Sequence, residues 1–222
     1  FIFYYPLPGT VASLIHHLGI SFENSFKILI GASFIFSAIS FYIWLSISKG
    51  VKKDVAFVGA LLYGLAPYHF LDIYVRGDVA EMMALAFAPL VFMFIEKLAR
   101  KPTLEDMLFG AITYALLILS HNVLSLMFSV IILFYMILKY YEMRGKSLPY
   151  YYAGILALGL GLSSFFWLPA LYETRFTNAA LFIGDMYKNH FPPLLSLVYS
   201  SWGFGPNVNK IGGLSPQIGP IH

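Results

Sequence analysis

The chain contains no cysteine, which excludes disulfides, cysteine-ligated zinc and iron–sulfur clusters. Charge is scarce as well: Asp, Glu, Lys and Arg make up 11% of the sequence, against roughly a quarter in soluble domains. The net charge of +3 is small and dispersed, so no nucleic-acid partner is expected. No metal motif is visible: the carboxylates show no Asp-x-Asp spacing and no His-x-x-x-His occurs. Internal repeats and low-complexity tracts are missing too, and no basic segment marks a signal peptide at the start. The chain opens on Phe1 and stops in a polar stretch at His222, so it is expected to be a fragment of a longer protein, with residues missing at both ends.

What the chain has in excess is apolar surface. Hydrophobic residues reach 59%, aromatic residues 18%, and the mean hydropathy is +0.75. These values lie outside the soluble range and imply an all-α, polytopic transmembrane helix bundle. Six spans are expected: Ile28 to Ser48, Val55 to Leu71, Val79 to Ile95 with Pro89 inside it, two helices within Met107 to Leu138, and Leu148 to Tyr172. As a single helix Met107 to Leu138 would be about 48 Å long, well beyond a ~30 Å hydrocarbon core. Ser120-His121-Asn122 offers the turn. A short helix over Val11 to Leu18, carrying His16 and His17, is too brief to cross and is expected at the interface. Ala153, Ala157 and Gly161 form a small-residue stripe suited to close helix approach. The organisation is therefore one membrane domain: 1–26 an outer loop with the interfacial helix, 27–172 six spanning helices, 173–222 an extracytoplasmic loop.

Basic residues assign the sides. The connections 49–53, 97–101 and 139–146 carry nine of the fourteen Lys and Arg, which predicts that this face is cytoplasmic. The opposite face carries Lys27, Arg76, Arg175, Lys188 and Lys210, and gathers all six histidines: His16, His17, His69, His121, His190 and His222.

On that outer side the segment from Asp72 to Glu81 packs Asp72, Arg76, Asp78 and Glu81 between two long apolar runs. Ionisable groups next to lipid are costly unless they face water, a partner or a substrate, so these are site candidates. Asp78 and Glu81 also have capping-box spacing, the alternative structural role. Asp72, Asp78 or Glu81 can serve as base toward a hydroxyl nucleophile, and the spacing singles out none of them. Arg76 suits a phosphate or pairs with Asp72. His121 can bind phosphate, shuttle a proton or cap backbone, and Glu173 is placed to face the same cavity or sits in a simple loop.

Four motifs resemble the membrane proteins of the GT-C glycosyltransferase superfamily: Tyr5-Pro6-Leu7-Pro8; Ala66-Pro67-Tyr68 running into Tyr74-Val75-Arg76-Gly77-Asp78-x-x-Glu81; Leu119-Ser120-His121-Asn122; and Trp167-Leu168-Pro169-Ala170-x-x-Glu173. They are similar above all to a bacterial and archaeal group labelled as related to 6-pyruvoyl-tetrahydropterin synthase, although no residue here supports pterin chemistry. The resemblance runs from Tyr5 to about Gly213. It implies transfer of a sugar from a polyprenyl-phosphate-linked donor to an acceptor outside the cytoplasm, by inverting displacement at the anomeric carbon. It implies that the main catalytic Asp precedes Phe1 and that Arg76, His121, Glu81 and Glu173 belong to a lipid-phosphate and acceptor cavity. Asp72, Asp78 and Glu81 stand as the acidic candidates within this chain, with Asn122 and Tyr74 as substrate-binding candidates beside Arg76, His121 and Glu173. The expected partners are membrane lipid and the lipid-linked sugar. No cofactor is assigned, and a divalent cation is allowed for. A transporter or flippase of a lipid-linked precursor, and a non-catalytic membrane scaffold, are the competing classes.

Overall fold

A computed structural model describes residues 3–145, 147–177, 194–199, 206–207 and 213–214. The protein is an all-α membrane bundle. Helix α1 spans Pro6–His17, α2 Phe22–Ile47, α3 Lys53–Gly64, α4 Pro67–Leu71, α5 Val79–Arg100, α6 Leu104–Ser120, α7 Asn122–Met143 and α8 Leu148–Thr174. A π-helical turn, Asp72–Arg76, follows α4 directly. Beyond α8 a short helix α9, Leu194–Val198, and a two-residue antiparallel pair, Pro206–Asn207 with Gly213–Leu214, are described. Most of the expected outer loop 173–222, with Lys188, His190, Lys210 and His222, lies outside the described residues.

Among the described residues, five helical runs are long and apolar enough to cross a membrane: Phe22–Ile47, Lys53–Arg76, Val79–Arg100, Asn122–Met143 and Leu148–Thr174. Helix α6, with 17 residues, sits at the lower edge of the ~17–25 that spanning helices use. Ile35, Phe57, Leu126, Val130, Phe134 and Phe165 stand exposed along the outer faces of these helices. Such faces would be untenable in water and are ordinary against lipid.

Helix α5 is the centre. It packs on α2, α6 and α7, and buries fifteen of its residues. Small side chains set its distance from α2, whose buried stripe is Ser25, Leu29, Ser33, Ser37 and Ser40. The stripe is narrow, and the hydroxyls of Ser25, Ser37 and Ser40 donate to the carbonyls of Ser21, Phe34 and Ser37. Helix α3 answers with buried Ala56, Ala60 and Gly64, and a Cβ on Gly64 would lie 2.8 Å from the Ala38 Cβ. Pro89 removes the N–H that would reach the Leu85 carbonyl within α5. The Tyr63 hydroxyl of α3 donates to that carbonyl at 2.8 Å.

Several boundaries differ from expectation. The second span is not one helix over Val55 to Leu71. It stops after Gly64 because Ala66 precedes Pro67 and is held extended, ψ 136°. It then resumes and runs as far as Arg76. The short first helix begins at Pro6, not Val11, since proline at the first helical position gives up an N–H that has no helical partner. The stripe of Ala153, Ala157 and Gly161 faces outward. Close approach to α6 instead uses Gly159, where a Cβ would meet Tyr114 at 2.6 Å, and Gly110, packed on Ile155.

The basic connections do meet at one end of the bundle. Glu96 of α5 accepts from the Lys49 backbone N–H, from Lys139 and from the Tyr135 hydroxyl, and pairs with Arg100. The segment 72–81 and the α6–α7 break lie together at the other end.

Candidate functional site

The polar cluster is built from two helix starts and a helix end. The π-helical turn closes at Gly77, left-handed at φ 62°, where a side chain would be strained. Asp78 then caps α5, its Oδ1 accepting the Glu81 N–H at 3.0 Å. The capping box does not close, because the Glu81 side chain turns to Arg76. Arg76 Nη1 donates to Glu81 Oε2 at 2.6 Å and Nη2 to Oε1 at 2.8 Å. Nη1 also donates to Asp72 Oδ1 at 2.9 Å and to the Tyr68 hydroxyl at 2.8 Å. Tyr68 in turn donates to Glu81 Oε2 at 2.6 Å. Asp72 is fully buried, and its Oδ2 has no hydrogen-bond partner among the described residues.

His121, between α6 and α7, completes the arrangement. Its Nδ1 accepts the Leu124 N–H at 3.0 Å, capping α7. An Nδ1 that accepts carries no proton, so the imidazole is neutral and its proton is assigned to Nε2. Burial holds the imidazole below its ordinary pKa, against the pull of Glu81 and Asp78. Nε2 faces Glu81 Oε1 at 3.6 Å and Asp78 Oδ2 at 3.9 Å, both too far for a hydrogen bond. Tyr5, just ahead of α1, lies over the His121 ring with centroids 4.3 Å apart. Burial and the neighbouring Asp78 and Glu81 carboxylates push its phenol upward.

Asp78 and Glu81 alone outnumber the one cation of the cluster, Arg76. With a neutral His121 this favours a cation or a hydrogen-bonding neutral group over an anion. Asp78, Glu81 and His121 each present one ligand atom, all within 4.8 Å of one another. Sequence spacing gave no hint of this trio, because its members come from helix starts about forty residues apart. The carboxylate oxygens suit a hard cation. Nitrogen ligation would require moving the proton to Nδ1, losing a cap worth roughly 0.5–2 kcal/mol.

Of the expected site residues, Asp72, Arg76, Asp78, Glu81 and His121 come together. The remaining three do not join them. Tyr74 is exposed and stacks on Phe70. Asn122 begins α7, and its backbone carbonyl accepts from Ser125. Glu173, near the end of α8, makes no ion pair with the cluster among the described residues. Tyr5 and Tyr68 were missed as site residues. Each stood inside a motif that carried the family resemblance, but a tyrosine's contacts with distant helices leave no trace in local spacing.

No curated protein and no solved structure matches the chain. A family model described as 6-pyruvoyl-tetrahydropterin synthase related domain, membrane protein, matches residues 1–208, and the chain belongs to that membrane protein family.

Proposed function

We propose that the 72–81 end of the bundle faces away from the cytoplasm and is the acceptor-activating part of a glycosyltransferase that uses a polyprenyl-phosphate-linked sugar. The observation that carries this reading is the gap between Asp78 Oδ2, Glu81 Oε1 and the Nε2–H of His121. One donor and two acceptors converge there, too far apart to satisfy one another. A hydroxyl group fits that pattern, because it accepts one hydrogen bond and donates another. His121 would hold the acceptor oxygen while Asp78, the more exposed carboxylate, takes its proton. The oxygen then bonds to the anomeric carbon, and the bond from that carbon to the donor phosphate breaks, the phosphate leaving with the electron pair.

Arg76 is in this reading a positioning residue, since its donors are committed to carboxylates. Arg175, at the end of α8, rests on the rings of Tyr172 and Phe176 and has no carboxylate partner among the described residues. It is the better candidate for the donor phosphate. The flippase alternative draws on the broken run Lys53–Arg76, but the ionisable groups gather at helix ends, not at mid-depth.

The test is radiolabelled sugar transfer from a polyprenyl-phosphate donor by the full-length protein. Asp78→Asn and His121→Asn both keep a capping residue, so the helices persist. Asp78→Asn is expected to lower transfer about 10²–10⁴-fold. Unchanged transfer in this variant would remove Asp78 as the base, and lipid movement without any sugar transfer would favour the flippase.

A further inference from the structure

A second feature lies at the opposite, basic end and does not depend on the proposed activity. Helices α2 and α7 each pack on α5 and scarcely touch each other. Between them is a cleft of about 250 Å³ over Pro89, walled by Phe41, Trp44, Phe92, Phe128, Ile131 and Tyr135. Ile131 is 52% exposed, so the cleft reaches the lipid-facing surface. Water has few polar partners in such a space, and an empty cleft forfeits dispersion contacts along every wall. In a bilayer the group at hand to fill it is an acyl chain.

The cleft also has a charged end. Tyr135, one of its walls, donates to Glu96 at 2.8 Å. Around Glu96 stand Lys139 at 2.9 Å and Arg100 at 3.6 Å, and Lys49 pairs with Glu142 at 3.7 Å. Three cations thus meet two carboxylates, leaving a surplus of one positive charge. The side chains of Lys49 and Arg100 are 73% and 47% exposed, so their charged ends are open to a further anion.

We propose that this cleft is a binding site for an anionic phospholipid of the adjacent leaflet. One acyl chain lies against the aromatic wall, and the headgroup phosphate sits by Lys49 and Arg100. The chain contributes little selectivity, because lipid tails are as apolar as the wall. Selectivity comes from charge, and basic pockets between membrane helices hold anionic headgroups in this way.

Trp44 provides the readout. With Trp167→Phe and Trp202→Phe, Trp44 is the remaining tryptophan of three. The full chain, reconstituted in nanodiscs, is titrated with phosphatidylglycerol or phosphatidylcholine carrying brominated acyl chains, which quench tryptophan on contact. Phosphatidylglycerol is expected to reach half-quenching at an about fivefold lower mole fraction, the preference that one surplus basic charge supplies. Lys49→Gln with Arg100→Gln should bring the two curves together. Should that variant not fold, unbrominated phosphatidylglycerol, and not phosphatidylcholine, should reverse the quenching in the parent. Equal quenching by the two lipids would overturn headgroup recognition. Quenching by neither would overturn the site altogether, the result expected if a second copy of the chain covers the cleft.

Discussion

Arg76 grips Glu81 with both ends of its guanidinium, at 2.6 and 2.8 Å, and the same Nη1 reaches Asp72. Two buried carboxylates therefore depend on one cation. Removing it leaves them uncompensated, and breaking a buried pair from one side costs about 3–5 kcal/mol. Because Arg76 is 29% exposed, the low end applies. Arg76→Ala is expected to lower unfolding stability in detergent by about 3 kcal/mol, and Arg76→Lys, which lacks the planar fork, by roughly half as much. An Arg76→Ala protein as stable as the parent would show that the carboxylates are protonated or otherwise compensated. Loss of activity in Arg76→Ala alone would say little about chemistry, which is why Asp78→Asn and His121→Asn are the informative variants.

Tyr63 and Pro89 make a second testable pair. The Leu85 carbonyl has lost its helical donor to Pro89 and gained the Tyr63 hydroxyl at 2.8 Å. Tyr63→Phe leaves that carbonyl unpaired at membrane depth, at a cost of about 1–3 kcal/mol. In a Pro89→Ala background the backbone N–H of residue 89 can take over. Tyr63→Phe should then cost less by at least about 0.5 kcal/mol, the smallest coupling a double-mutant cycle resolves between contacting sites. Equal costs in the two backgrounds would mean that the hydroxyl does not serve the proline gap.

Much of the architecture was legible in the sequence because its causes are local. Asp78 preceding an apolar run predicts a cap, and Ser120-His121-Asn122 marks the break between α6 and α7. The Ala66–Pro67 step was legible in principle, since the residue before proline resists helix, yet the apolar run hid it. What spacing does not carry is which face finds a partner. Ala153, Ala157 and Gly161 share a face of α8, and so do Tyr152, Ile155 and Gly159; only the tertiary fold decides that the latter meets α6. The gathering of Lys49, Arg100 and Lys139 on Glu96 was equally hidden, although each was visible as a basic flank.

That choice of face can be measured on α8 directly. A Cβ at Gly159 would lie 2.6 Å from Tyr114 and 3.0 Å from the Ala111 carbonyl oxygen, whereas at Gly161 nothing lies within 4 Å. Gly159→Ala should destabilise by about 1–3 kcal/mol through overpacking. Gly161→Ala should be neutral or gain up to about 1 kcal/mol from helix propensity. Thermal unfolding of the two variants in one detergent separates them. The reverse order would show that the outward face of α8 is the packed one.

The last prediction concerns pH. His121 is capped to Leu124 through an unprotonated Nδ1, and burial depresses its pKa below the ordinary ~6.5. Above that value the imidazole is neutral in both folded and unfolded chains, and its contribution to stability is fully present. As pH falls below ~6.5 the unfolded chain binds a proton that the folded one refuses, so stability declines until the folded pKa is passed. Protonation at Nδ1 would also break the α7 cap. Between pH ~6.5 and ~5 the parent should therefore lose more unfolding stability than His121→Asn, which keeps a cap but cannot titrate. A parent that instead gains stability relative to His121→Asn as pH falls would mean that His121 is already protonated in the fold. Its Nε2–H would then belong to an imidazolium paired with Glu81 and Asp78, and the donor-and-two-acceptor slot proposed for a hydroxyl would be lost.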